Sequence, residues 1–232
     1  MASSYLQRRS QIETYFDRTA AEAWARLTSD APVGRIRATV RAGRDRMRET
    51  LLDWLPRDLR GCRILDAGCG TGALAVAAAA RGAEVVAIDL SPPLVALAQE
   101  RVPQVAGSGR VEFRVGDMLD PGLGSFDYVV GMDSLIHYKL DDMLDVLGGI
   151  AARTREAILF TFAPRTPALA VMHAVGQLFP RGNRSPAIEP VGRQLLWNKL
   201  ETYPALSDWH LARNAQISAG FYISQAQELR RR

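Results

Sequence analysis

From residue 63 to residue 162, short apolar runs alternate with longer segments of helical periodicity. The apolar runs predict strands near 63–67, 84–89, 110–115, 126–131 and 156–162, and the segments near 72–81, 92–101 and 140–152 predict helices. Ser91-Pro92-Pro93 reads as a helix cap followed by proline in the first turn. Such alternation predicts an α/β fold: a mainly parallel sheet, right-handed crossovers and helices on both faces. Ligands of such a sheet bind outside the carboxyl ends of its strands. Upstream, Ile12, Tyr15, Phe16, Ala20, Ala23, Trp24 and Leu27 fall at helical spacing within residues 5–27. A second stripe, Val33 to Leu55, starts after Pro32 and stops at Pro56. These two helices form an arm, residues 1–58, that can cover the active face of a core at 59–163. Downstream the alternation lapses. Residues 164–204 read as a substrate-side insertion, with helices near 168–179 and 190–200 and a basic Gly/Pro loop between them. Residues 205–232 close the chain with two short strands, Trp209 to Asn214 and Gly220 to Ser224.

Chemistry enters at the end of the first strand. Ile64-Leu65-Asp66-Ala67-Gly68-Cys69-Gly70-Thr71-Gly72 carries an acid into a glycine loop, and an Ala-rich helix follows. Glycines admit positive φ and let the backbone approach a ligand closely. Gly68-x-Gly70-x-x-Ala73 also satisfies the dinucleotide fingerprint, in which a pyrophosphate sits on the helix N-terminus. Asp66 weighs against that reading, because a carboxylate repels a pyrophosphate and attracts an amino group or sulfonium. Asp89, at the second strand's end, suits ribose hydroxyls in either case. Asp117, after the third strand, can hold the exocyclic amine of an adenine, with Met118 against the ring face.

Acids at three successive strand ends resemble the class I methyltransferases. That resemblance implies a Rossmann-like, seven-stranded, mainly parallel sheet. It also implies S-adenosylmethionine as methyl donor and S-adenosylhomocysteine as product. The implied cofactor site is Asp66, Gly68, Cys69, Gly70, Gly72, Asp89, Leu90, Asp117, Met118 and Met132. The fourth strand delivers Asp133-Ser134-Leu135-Ile136-His137-Tyr138, which borders the reacting methyl in this fold. It lacks the Asn-Pro-Pro-Tyr or Asp-Pro-Pro-Tyr sequence of base methylation and holds no Cys nucleophile, so no nucleic-acid substrate is expected.

Further segments narrow the resemblance. They are Tyr15-Phe16, Gly34-Arg35-Ile36-Arg37 with Arg41-Ala42-Gly43, Leu135-Ile136-His137-Tyr138, Phe160 to Thr166, Leu178-Phe179-Pro180 and Ser218 to Ser224. Together they are similar to the magnesium-protoporphyrin IX methyltransferases of chlorophyll and bacteriochlorophyll synthesis, over nearly the whole chain. The resemblance implies esterification of one propionate of magnesium protoporphyrin IX, with magnesium present only inside the substrate. Handover from the porphyrin-binding subunit of magnesium chelatase follows from the same likeness, as does a cytoplasmic enzyme loosely attached at the photosynthetic membrane. A propionate is ionised at neutral pH, so transfer needs placement rather than a strong base. His137 is the first choice to place it, with acid–base work or magnesium contact as rival duties; Tyr15 is the second. Tyr138, Arg165 and Arg184 are weaker substrate choices, the arginines for the second propionate. A methyltransferase for another small acid or amine, or a non-catalytic porphyrin- or cofactor-binding protein, remains the alternative reading.

Composition changes the picture only through charge. The net +4 conceals a middle segment, 61–150, with six basic and twelve acidic side chains. Residues 1–60 carry twelve basic against eight acidic, and residues 151–232 eleven against five. Positive flanks suit an anionic substrate, an acidic partner or an anionic membrane surface. No apolar stretch approaches the ~18 residues of a membrane span. Cys62 and Cys69, seven apart around a strand, make neither a metal set nor a disulfide and read as small buried residues. The four tryptophans read as packing.

Overall fold

The computed structural model describes residues 3–15, 34–101, 109–165 and 188–232. In chain order the elements are α1 (Ser3–Tyr15), α2 (Arg35–Trp54), β1 (Arg63–Ala67), α3 (Ala73–Ala80), β2 (Glu84–Asp89), α4 (Pro92–Arg101) and β3 (Arg110–Val115). There follow β4 (Phe126–Gly131), α5 (Leu140–Ala151), β5 (Thr154–Phe162), α6 (Arg193–Thr202), β6 (Trp209–Ala219) and β7 (Tyr222–Arg231). The strands form one sheet in the order β3-β2-β1-β4-β5-β7-β6. β1 to β5 run parallel, and β7 inserts antiparallel between β5 and β6. The order reverses at β1, so the crevice between β1 and β4 is the switch point where such sheets take ligands.

Side-chain alternation assigns the two faces. Leu65, Ala67, Val129, Ile158 and Phe160 point into a layer completed by α5 and α6. Ile64, Tyr128, Val130, Ala157 and Leu159 point the other way, into a layer completed by α2 and α3. A period of two on a twisted strand produces this division, and burial on both faces explains why the strands read as continuous apolar runs. α3 buries Leu74, Ala75, Ala78 and Ala79; with such short side chains it lies close on the sheet. Gly43 does the same for α2: a Cβ there would stand 2.5 Å from the Tyr222 ring.

The central strands and helices fall where the apolar pattern predicts them, with β5 starting two residues early. The terminal strands are corrected. Both are about twice the predicted length, because β7 buries polar residues that the apolar pattern misses, among them Gln225, Gln227 and Glu228. Arg213 holds Glu228 through two bonds, Nε–Oε2 2.6 Å and Nη2–Oε1 2.8 Å. Trp197 Nε1 donates to Gln227 Oε1 at 2.8 Å. The helix expected near 190–200 is α6. The expected helix at 168–179, the later half of the first arm helix and Pro32 lie outside the described residues.

Candidate active site

The glycine loop turns because its backbone enters the left-handed region at Gly68, Gly70 and Gly72, with φ of 88°, 54° and 78°. Gly68 also has no room for a side chain, since a Cβ would meet Ser134 Cβ at 2.5 Å. Gly68 N and Cys69 N donate to Ile88 O at 2.9 and 3.0 Å, tying the loop to β2. Asp89 completes the hold: its Oδ2 accepts from Gly70 N at 2.9 Å and its Oδ1 from Ser91 N at 3.0 Å. The carboxylate expected at a ribose thus also shapes the loop beneath it. Gly72 is placed differently from expectation. It caps α3 and is buried against Phe113 and Ala98, behind the ligand-facing surface.

A cavity of about 640 Å³ opens at the switch point. Its wall gathers Asp66, Gly68, Cys69, Gly70, Asp89, Leu90, Asp117, Met118 and Met132 with Tyr15, His137 and Tyr138. Asp66 is the most unusual of these. It is buried, its Oδ2 has no hydrogen-bond partner among the described residues, and its pKa rises from 3.8 to about 7. Burial is the main cause and the charge of Asp89 the second; a bond from the Ala75 backbone pulls the other way. A buried carboxylate oxygen left without a donor is costly unless a ligand supplies one. An ammonium group supplies both donor and charge. The residues present therefore fit the amino-acid end of S-adenosylmethionine.

The arm lies across this cavity through α1, held by polar contacts that the apolar pattern does not reveal. Tyr5 Oη donates to Asp117 Oδ1 at 2.7 Å, and Arg9 Nη1 to Asp117 Oδ2 at 2.9 Å. Ser4 Oγ donates to Asp142 Oδ1 at 2.6 Å, and Arg8 pairs with Glu189. Asp117 Oδ1 also accepts from Leu119 N at 2.8 Å. The acid expected to meet an adenine amine is thus also the latch for α1. Tyr5 stacks on Tyr138, ring centres 5.2 Å apart, and burial raises both phenols. Burial also raises Tyr15, which keeps its hydroxyl a donor at neutral pH.

His137 is buried and ends a short 3-10 turn, Leu135–His137. Two anchors fix that turn. Ile136 O accepts from Glu189 N at 2.8 Å. Upstream, Asp133 takes a left-handed conformation, φ 55°, which costs a non-glycine residue energy unless its surroundings hold it. Here Asp133 N donates to Thr161 Oγ1 at 2.7 Å, and the carboxylate pairs with Arg44 at 2.5 Å. Tyr222 Oη donates to both carboxylate oxygens, at 3.1 and 3.2 Å. Asp133 therefore joins α2, β5 and β7 beside the cavity. Its one sequence signal is its place at the end of a strand.

One substrate choice needs correction. Arg165 is exposed and absent from the cavity wall; its backbone N–H bonds Val191 O at 2.9 Å, which carries the chain past the site. Arg184 lies outside the described residues. Trp54, Trp197 and Trp209 do not line the cavity; Trp54 and Trp209 carry Arg213 and Arg231 over their rings. Cys62 and Cys69 are free thiols, half-buried rather than fully buried. No helix among the described residues is long and apolar enough to cross a membrane, and no metal-binding cluster occurs among them.

Comparison with known proteins places this geometry. A profile described as magnesium-protoporphyrin IX methyltransferase C-terminus matches residues 131–231, and a methyltransferase-domain profile matches residues 64–156. The chain is 49% identical over 231 residues to the magnesium-protoporphyrin O-methyltransferase of Rhodobacter capsulatus, covering 99% of this chain and 100% of that protein. It is 28% identical to the protein of the same name from Synechocystis, covering 98% of each. The fold superposes on a crystal structure of magnesium protoporphyrin IX methyltransferase from Synechocystis with bound SAH, at a TM-score of 0.83 and 26% identity. That match covers 97% of this chain and 100% of the other.

Proposed function

The chain belongs to the magnesium-protoporphyrin IX methyltransferase family, and on that premise we propose that it methylates one propionate carboxylate of magnesium protoporphyrin IX. The observation that carries this reading is the shared cavity wall. It holds the acidic strand-tip set, with its orphaned Asp66 oxygen, together with His137 and Tyr15. S-adenosylmethionine, when bound, supplies a methyl carbon to the carboxylate oxygen, and the broken carbon–sulfur bond leaves its electron pair on sulfur. No proton moves, because the propionate arrives ionised.

Asp66 holds the amino group, Asp89 the ribose hydroxyls and Asp117 the adenine amine, while Leu90, Met118 and Met132 supply apolar contact. His137 and Tyr15 orient the carboxylate as neutral donors. A neutral donor binds the anion with less penalty to its lone pair than a direct guanidinium clamp would impose. Ile12, Ile136 and Ile188 line the same cavity. Their apolar surface keeps water from an anion whose hydration opposes transfer.

The positive flanks support two further contacts: porphyrin delivery from the binding subunit of magnesium chelatase, and loose attachment at an anionic membrane face. Both are electrostatic, so both should weaken with salt.

Labelled S-adenosylmethionine mixed with magnesium protoporphyrin IX tests the reaction. Labelled monomethyl ester is expected. No ester, with another small acid or an amine labelled instead, would overturn it.

A further inference from the structure

The cavity is divided by charge. Four of its acids, Asp66, Asp89, Asp117 and Asp133, stand at the carboxyl ends of the strands; a fifth, Asp45, lies on α2. Its arginines, among the described residues, are Arg41, Arg44 and Arg48, and all three come from α2. Spacings of three and four place them on one helix face. They are half-buried, whereas Arg35, Arg37 and Arg46 of the same helix are exposed and off the wall. Arg44 is committed to Asp133 at 2.5 Å, which fixes the centre of the stripe. Arg48 pairs with Asp45 at 2.9 Å. A guanidinium has five donors in a planar fork, so one ion pair does not exhaust it.

The acidic half suits a cationic methyl donor. The basic face suits an anion, and the substrate of the reaction proposed above carries two. We propose that Arg41 and Arg48 receive the carboxylate of the second, unreacted propionate and so restrict the product to a monoester. This rests on the proposed reaction. Turning the macrocycle to present the second carboxylate would lay the new ester against these arginines. An ester has no charge and accepts no bidentate guanidinium pair, so the monoester binds poorly in the orientation a second transfer needs. The role expected of Arg165 thereby passes to α2.

The test pairs substitution with substrate truncation. Arg41→Met and Arg48→Met keep the apolar stem and remove the charge; Arg41→Lys keeps charge without the fork and covers the case in which a Met variant fails to fold. Each is assayed with magnesium protoporphyrin IX, with its monomethyl ester and with a magnesium porphyrin bearing a single propionate. With the diacid, KM should rise about tenfold or more for the Met variants and less for Arg41→Lys. With the single-propionate porphyrin, the same substitutions should change KM by less than about twofold. Wild-type preference for diacid over monoester should be lost in the Met variants, with diester appearing. An equal rise in KM for both porphyrins, or no rise, would overturn the anchor. Failure of the wild type to methylate any of these porphyrins would instead overturn the parent reaction, and the anchor with it.

Discussion

Burial and the neighbouring charge of Asp89 lift the Asp66 carboxyl to about 7. An ammonium beside it favours the ionised form and lowers that value again. Cofactor binding below pH 7 must therefore expel a proton, and affinity must fall as pH drops. Calorimetry with S-adenosylhomocysteine at pH 6, in buffers of different ionisation enthalpy, should show release approaching one proton; zero release would separate Asp66 from the amino group. The sign for folding is opposite to that of a salt-bridged acid. The folded chain holds this proton more tightly than the unfolded chain, whose value is near 3.8, so Asp66 costs cofactor-free protein stability as pH rises from about 4 to 7. At the reacting end, His137→Ala should lower turnover about a hundredfold while cofactor affinity holds, read by initial rates and titration. Wild-type turnover would make His137 structural. Asp66, Asp89 and Asp117 were legible because acids at three successive strand ends form a recognisable series. Asp133 was not, since its role depends on Arg44, Thr161 and Tyr222 from three distant elements.

Elements meet closely where side chains allow it. Ala for Gly inside a helix normally gains about 1 kcal/mol. Gly43→Ala should instead destabilise by about 1–3 kcal/mol, because three atoms of Tyr222 stand within 2.8 Å of the added Cβ. Urea unfolding decides: an unchanged or raised midpoint would show that α2 shifts freely on β7. α1 is held by polar contacts as well as by buried Tyr5 and Ile12. Removing a hydrogen bond to a charged acceptor costs about 1.5–3 kcal/mol, so Tyr5→Phe should speed amide exchange in α1 roughly tenfold or more. Unaltered exchange would mean that the Tyr5 hydroxyl does not help to hold α1. Periodicity predicted the inner parallel strands because they are apolar on both faces, and the edge strand β3 by its alternation of Val111, Phe113 and Val115 with charged residues. It missed half of β6 and β7, since β6 is largely solvent-facing and β7 hides Gln227 and Glu228 behind partners supplied by Trp197 and Arg213.

At the scale of the molecule, the strand order reverses at β1, and the acids, the His137 turn and the α2 arginines converge on that one crevice. In the proposed reaction, the cationic donor on the acidic side and the carboxylate placed by His137 and Tyr15 lose charge together as the methyl moves. The most direct check is where the carbon goes. Magnesium protoporphyrin IX should be converted with S-adenosylmethionine labelled with carbon-13 at the methyl, and the product read by NMR. One labelled methoxy carbon per macrocycle, on a single propionate, is the expected result. Label on nitrogen or on ring carbon, or no label on the porphyrin, would contradict it.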